Sequence, residues 1–148
     1  MKTKVIVVFM FMLIGHVFAQ KNTQSILRSY IKLKDAFVKS DSGQISNTAI
    51  EFTKVIETES DFTDKKSLLE AVEKITRTKD IEKQREAFSV LSKIFWTIIK
   101  VADHIKETIY YQYCPMKKAY WLSTDSVIKN PYYGSKMLSC GSVSERKN

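Results

Sequence analysis

Four sulfur-containing side chains near the C-terminus are the residues best suited to chemistry. They form two pairs, Cys114-Pro115-Met116 and Met137-Leu138-Ser139-Cys140, and every other methionine lies within the first 12 residues. Thiolate and thioether sulfurs prefer soft ions such as Cu(I), whereas zinc sites usually recruit histidine or further cysteines. The pattern therefore predicts a site for Cu(I) or a related heavy metal, with Cys114, Met116, Met137 and Cys140 as its ligands.

The spacing within each pair allows both sulfurs to face one ion. In an extended segment Cys114 and Met116 project to the same side, and in a turn Met137 and Cys140, three residues apart, also share a side. Pro115 stiffens the backbone of the first pair, which reduces the entropy lost when a site forms. Two such arms can converge on one centre.

A disulfide between Cys114 and Cys140 is the alternative interpretation. Two cysteines in an exported protein most often form a disulfide, and the chain-entropy model assigns such a crosslink roughly 3 to 4 kcal/mol. Met116 and Met137 would then be soft packing around the bridge. The two interpretations are compatible, because a reduced dithiol can bind a metal that the oxidised pair cannot. The residues alone leave both open.

The N-terminus has the pattern of a secretory signal peptide. Lys2 and Lys4 give a positive start, an apolar run follows, and Val17-Phe18-Ala19 places small residues before a cleavage site near Ala19/Gln20. The apolar run is shorter than the about 20 residues that a membrane-spanning helix needs. We expect residues 1–19 to be removed, leaving a periplasmic or otherwise secreted protein without a transmembrane segment.

The mature chain, residues 20–148, has the length of a single domain. Loss of Lys2 and Lys4 lowers the formal charge from +8 to +6, and the remaining lysines are scattered, which argues against a nucleic-acid partner. The sequence has no Cys-x-x-Cys motif and no phosphate-binding loop, so we expect no enzymatic activity. His104 is the one histidine of the mature chain and is a reserve metal ligand.

The elements that must position the sulfur residues follow from composition and periodicity. Residues 20–109 contain one glycine and no proline, whereas both prolines and both cysteines lie in 110–148. Apolar residues recur at helical spacing in the first part, and short linkers favour antiparallel neighbours. The expected fold is all-α, an up-and-down four-helix bundle followed by an irregular segment, 110–141, with short β-like pieces. The predicted helices span about 23–39, 43–57, 64–77 and 80–109.

The aromatic residues of the C-terminal segment have a predicted structural role. Seven tyrosines and tryptophans lie between residues 110 and 133. Buried aromatic side chains dominate packing energetics and need only one polar partner each. We therefore expect them to hold the segment against the bundle rather than to form an exposed binding platform.

Several motifs resemble those of a known family. The C-terminal ones are Gln112–Met116, Ala119–Ser123, Ile128–Gly134 and Met137–Gly141, and the helical ones are Tyr30–Val38 and Asp80–Phe88. Together they are similar to an uncharacterised exported bacterial family that carries a domain-of-unknown-function label. Its members occur alone in the periplasm and fused to adaptor subunits of heavy-metal efflux pumps. The resemblance implies metal handling, with heavy-metal efflux components as partners. In the disulfide alternative the protein is instead a non-catalytic structural or protein-interaction module that docks on another envelope protein.

Overall fold

A computed structural model describes residues 23–103 and 105–148, and it shows four helices followed by three strands. The helices pack up-and-down, as predicted, and none in the described ranges is long and apolar enough to cross a membrane. The predicted signal peptide and His104 lie outside the described residues. The elements are α1 (23–39), α2 (Ser42–Thr58), α3 (Lys65–Thr76), α4 (Ile81–Val101), β1 (Ile109–Cys114), β2 (Ala119–Ser123) and β3 (Ser142–Lys147).

Aspartate side chains fix the starts of two helices. The carboxylate of Asp41 accepts the backbone N–H of Gln44 at 2.9 Å and caps α2. The carboxylate of Asp80 accepts the N–H groups of Glu82 and Lys83 at 2.9 and 3.2 Å. Each cap satisfies donors that the first helical turn leaves without a partner, which sets where the helix begins.

The bundle core is built from the apolar stripes that the periodicity predicted. Aromatic rings meet at its centre, where the Phe37 and Phe88 centroids lie 4.4 Å apart and those of Tyr30 and Phe95 lie 4.8 Å apart. Offset aromatic contacts of this kind add stabilisation to the burial of the ring surfaces. α1 and α4 are thereby joined along their length.

The predicted C-terminal end of the fourth helix is wrong. α4 ends at Val101, where Ala102 is extended, and Ile109 belongs to β1 rather than to a last helical turn. No glycine or proline interrupts residues 101–109, and Ile105 and Ile109 continue the apolar spacing of the helix, so the sequence contains no signal for its end. The run Ile109-Tyr110-Tyr111 is β-branched and aromatic, and cross-strand packing of such residues outweighs a weak helical preference.

The three strands form an antiparallel sheet in the order β2-β1-β3, which gives the expected β-like pieces a definite topology. β1 is central, with Cys114 opposite Ala119 in β2 and Tyr113 opposite Ser142 in β3. One face of the sheet packs on α4, where the Tyr111 ring lies between those of Trp96 and Tyr120 at 4.6 and 4.7 Å. The prediction that the aromatic residues hold this segment on the bundle is confirmed for Tyr111.

The hydroxyl of Tyr30 connects three elements in the core. It lies 2.7 Å from the hydroxyl of Ser92 on α4 and accepts the backbone N–H of Leu122 on β2 at 3.1 Å. Burial raises the pKa of Tyr30 above its ordinary value, so the phenol stays protonated. The buried backbone N–H of Leu122, at the edge of β2, therefore has its hydrogen-bond acceptor in a side chain from α1.

Replacing Tyr30 by phenylalanine tests this connection. Tyr30→Phe leaves the N–H of Leu122 buried without an acceptor, and we expect a loss of about 1–3 kcal/mol in the free energy of unfolding. The control is Tyr113→Phe, which removes a hydroxyl that makes no hydrogen bond within the described residues and should change stability by less than about 0.5 kcal/mol. Equal losses in urea denaturation of both variants would contradict the proposed role of the Tyr30 hydroxyl.

Candidate functional site

The second face of the sheet is covered by the chain itself. Gln112 and Cys114 on β1 and Trp121 on β2 are fully buried there, although they point away from α4. The side-chain amide of Gln112 donates to the carbonyls of Asp125 and Ser126 at 3.0 and 3.3 Å. The segment that follows β2 thus folds back over β1 before it reaches β3.

Asn130 holds this covering segment closed. Its side chain donates to the carbonyl of Cys140 at 2.6 Å and accepts the N–H of Tyr132 at 2.8 Å. Its backbone N–H donates to Leu138, and its carbonyl accepts from Gly134. Because Asn130 is fully buried and uses both ends of its amide, it fixes the backbone of Cys140 against the sheet.

The two cysteines meet at this point. Both are free thiols, Cys114 is completely buried and Cys140 is partly exposed. The pairing of Tyr113 with Ser142 and the approach of Gly141 to the Tyr113 carbonyl bring the Cys140 segment next to Cys114. Partial burial and the nearby Cys114 thiol together raise the pKa of Cys140. The fold therefore brings the two cysteine segments together, and the predicted metal site stays a prediction.

The predicted methionine ligands lie beside the thiols in sequence but reach the surface. Met116 is in the turn between β1 and β2 with 63% of its surface exposed, and Met137 ends a 3-10 turn at 36%. The N–H of Cys140 donates to the carbonyl of Met137 at 3.1 Å, so this pair shares one tight turn. The structure brings the cysteines together and leaves both thioethers accessible.

A charged cluster anchors the turn that carries Met116. The ammonium of Lys117 and the guanidinium of Arg85 each lie 2.7 Å from a carboxylate oxygen of Glu82 on α4. The hydrogen bond from Lys117, followed by that from Arg85, lowers the pKa of Glu82 below its ordinary value. Arg85 also donates to the carbonyl of Pro131 at 3.2 Å. Sequence reasoning missed this cluster, whose only signal was the charged motif Asp80–Phe88.

Gly141 lets the covering segment approach the sheet. Its φ of +148° suits glycine, and a Cβ there would lie 2.8 Å from the carbonyl oxygen of Tyr113 and 2.9 Å from Cη2 of Trp121. A larger residue would displace the segment next to Cys140. The sequence offered no reason to single out this glycine, because the close contact involves residues distant along the chain.

The two cysteine thiols are the groups of this site that are best suited to bind a metal ion. No group of three or more histidine, cysteine, aspartate or glutamate side chains in the described ranges is arranged to hold a metal ion. An ion bound between the cysteines would therefore have two thiolates as its anionic ligands. This donor set fits soft, low-coordinate ions and does not fit magnesium or calcium.

The close approach at Gly141 predicts a stability loss on substitution. Gly141→Ala should lower the free energy of unfolding by about 1–3 kcal/mol, because the new methyl group meets backbone and a buried ring. Gly43→Ala is the control, since a Cβ at that helical position meets only the Asp41 carboxylate at 3.3 Å. We expect it to change stability by less than about 1 kcal/mol in the same thermal or urea denaturation. Similar stability of the two variants would refute the contact.

The thiol contact predicts a pH dependence for alkylation of Cys140. Because its pKa is raised, less thiolate is present at a given pH, and the rate with iodoacetamide should rise only at more alkaline pH. Cys114→Ala removes the contribution of the neighbouring thiol to this raised pKa, so the midpoint of the rate profile should move to lower pH. Ser139→Ala, adjacent in sequence, should leave it in place. An unchanged midpoint in Cys114→Ala would show that the thiols do not interact.

Comparison with known proteins places the chain in a protein family. No curated protein and no solved structure matches the chain. A family model described as protein of unknown function (DUF3347) matches residues 26–107, a range that contains most of the helical bundle and ends before β1. The sulfur residues lie beyond it. Because the match covers more than half of the chain, this protein belongs to the DUF3347 family of proteins of unknown function.

Proposed function

We propose that the protein is a non-catalytic module that binds Cu(I) or a related soft metal ion outside the cytoplasm. The observation that carries the proposal is the proximity of Cys114 and Cys140, which come from separate segments: Gly141 approaches the carbonyl of Tyr113, and Asn130 holds the carbonyl of Cys140. Two thiolates in contact are a suitable ligand set for a soft monovalent ion. Binding would release both thiol protons, because the thiolate is the form that coordinates a metal.

Met116 and Met137 complete the proposed site. Thioethers are neutral, so they add soft ligands without adding charge to a partly buried centre. Their exposure places them where an arriving ion would be met first. In this proposal the methionines take part in capture as well as in coordination, and the cysteines provide most of the affinity.

The proposed location and partners come from sequence. The signal-like N-terminus supports a periplasmic or secreted address. The resemblance to domains fused to efflux adaptor subunits supports heavy-metal efflux components, or other envelope proteins, as partners. Fold and family membership by themselves assign no activity.

A second candidate function rests on the same contact. Adjacent thiols in an exported protein can be oxidised to a Cys114–Cys140 disulfide, with two protons and two electrons passing to a thiol–disulfide oxidant. The bridge would pin the covering segment to β1 in a structural or protein-interaction module. Thiols already held together by the fold need little rearrangement to form it.

A Cu(I) titration separates the candidates. The reduced protein, titrated anaerobically against a chromophoric Cu(I) chelator, should bind about one ion per chain through its single thiol pair. Cys114→Ser with Cys140→Ser should abolish this binding. Met116→Leu with Met137→Leu should weaken it by about tenfold or more. Ser139→Ala should bind as the wild type does.

Two results would count against the metal site. Equal Cu(I) affinity in the double-serine variant would show that the ion binds elsewhere. No binding by the reduced wild type, together with no free thiols in protein taken directly from the periplasm, would favour the disulfide-stabilised module.

A further inference from the structure

Trp121 lies on the same face of the sheet as Cys114. It is fully buried on the covered face of the sheet, opposite Gln112 and diagonal to Cys114 across the strand pair. Diagonal neighbours on one face are within reach of aromatic side chains. The far edge of the indole reaches Gly141, the residue after Cys140, where a Cβ would lie 2.9 Å from Cη2. The ring therefore extends from β2 to the second cysteine segment.

The tip of the ring lies near the backbone that joins Tyr113 to Cys114. Gly141 approaches both the Trp121 ring and the carbonyl oxygen of Tyr113. Because the carbonyl carbon of Tyr113 is bonded to the backbone nitrogen of Cys114, the tip of the indole reaches the backbone beside this cysteine.

The indole N–H of Trp121 has no hydrogen-bond acceptor among the described residues while the cysteines are thiols. The N–H of Trp121 is buried and has no hydrogen-bond partner within the described residues. Buried donors are nearly always paired, so such a group calls for a ligand, a water molecule or a second state of its surroundings. The N–H of Trp96 is also unpartnered, but this residue stacks on Tyr111 at the opposite face of the sheet.

We propose that Trp121 is a positioning residue whose N–H donates to the Cys114 thiolate once a soft metal ion is bound. The inference rests on the proposed function. A thiol is a weak acceptor, whereas a hydrogen bond to an ionised acceptor is about twice as strong as one between neutral groups. Hydrogen bonds to ligand sulfurs also orient the ligand and tune affinity. The donor without a partner thus belongs to the metal-bound state.

A buried water is the competing explanation. The side-chain oxygen of Gln112, opposite Trp121, is likewise buried without a partner. One water could accept from the indole and donate to this oxygen. In that case the indole N–H would be occupied before metal arrives, and its environment would depend on Gln112 rather than on the ion.

The test follows the two indole N–H groups by nitrogen-15 NMR in the reduced wild-type protein. Trp121→Phe and Trp96→Phe assign the resonances, and one equivalent of Cu(I) is then added anaerobically. We expect the Trp121 resonance to shift and the Trp96 resonance to stay. We also expect Trp121→Phe to weaken Cu(I) binding about tenfold, a size typical of outer-shell partners, while Trp96→Phe, the matched control, binds as the wild type does.

Each other outcome overturns the inference in a recognisable way. Normal Cu(I) binding with an unmoved Trp121 resonance, and equal affinity in both phenylalanine variants, refutes the role of Trp121 and leaves the metal site intact. A resonance insensitive to Cu(I) but displaced in Gln112→Leu indicates the bridging water. No Cu(I) binding by the wild type refutes the proposed function, and this inference with it. The wild-type NMR shift decides the matter even where Trp121→Phe fails to fold.

Discussion

The burial of β1 on both faces is the constraint that organises the C-terminal part of the molecule. Tyr111 and Gln112 are adjacent, point to opposite faces and are both buried. A strand in this position needs a cover on each side. α4 provides one cover, and the chain between β2 and β3 provides the other. Cys140 lies in that second cover, so its contact with Cys114 follows from the need to bury Gln112 and Trp121.

Polar side chains make the second cover specific. An apolar strip could slide over the sheet, whereas Asn130 accepts and donates in fixed directions and ties Cys140 to one position. Arg85 does the same from the bundle by reaching the Pro131 carbonyl. A buried network whose members are satisfied rigidifies the segment it holds. The dithiol is therefore organised before any ligand binds, which reduces the ordering cost of binding.

The bundle was predictable from sequence and the arrangement of the site was not. Helical periodicity depends on neighbours three and four residues apart, which the sequence displays directly, and Asp41 marks the start of α2 in the same local way. The end of α4, the contact of Gly141 with Trp121 and the anchor from Arg85 depend on residues far apart in the chain. The pairing of each cysteine with a methionine is visible without the fold, so the sequence alone could nominate the cysteines as candidate site residues.

The proximity of Cys114 and Cys140 favours a disulfide, but two properties of these thiols oppose its formation. Exchange with a disulfide oxidant requires an accessible thiolate, but Cys114 is fully buried and the pKa of Cys140 is raised. Both features slow the first step of oxidation. A soft metal ion displaces the thiol proton as it binds and needs no free thiolate beforehand. In the proposed site, these features slow disulfide formation more than metal binding, and an ion that has met the exposed methionines reaches Cys140 before the buried Cys114.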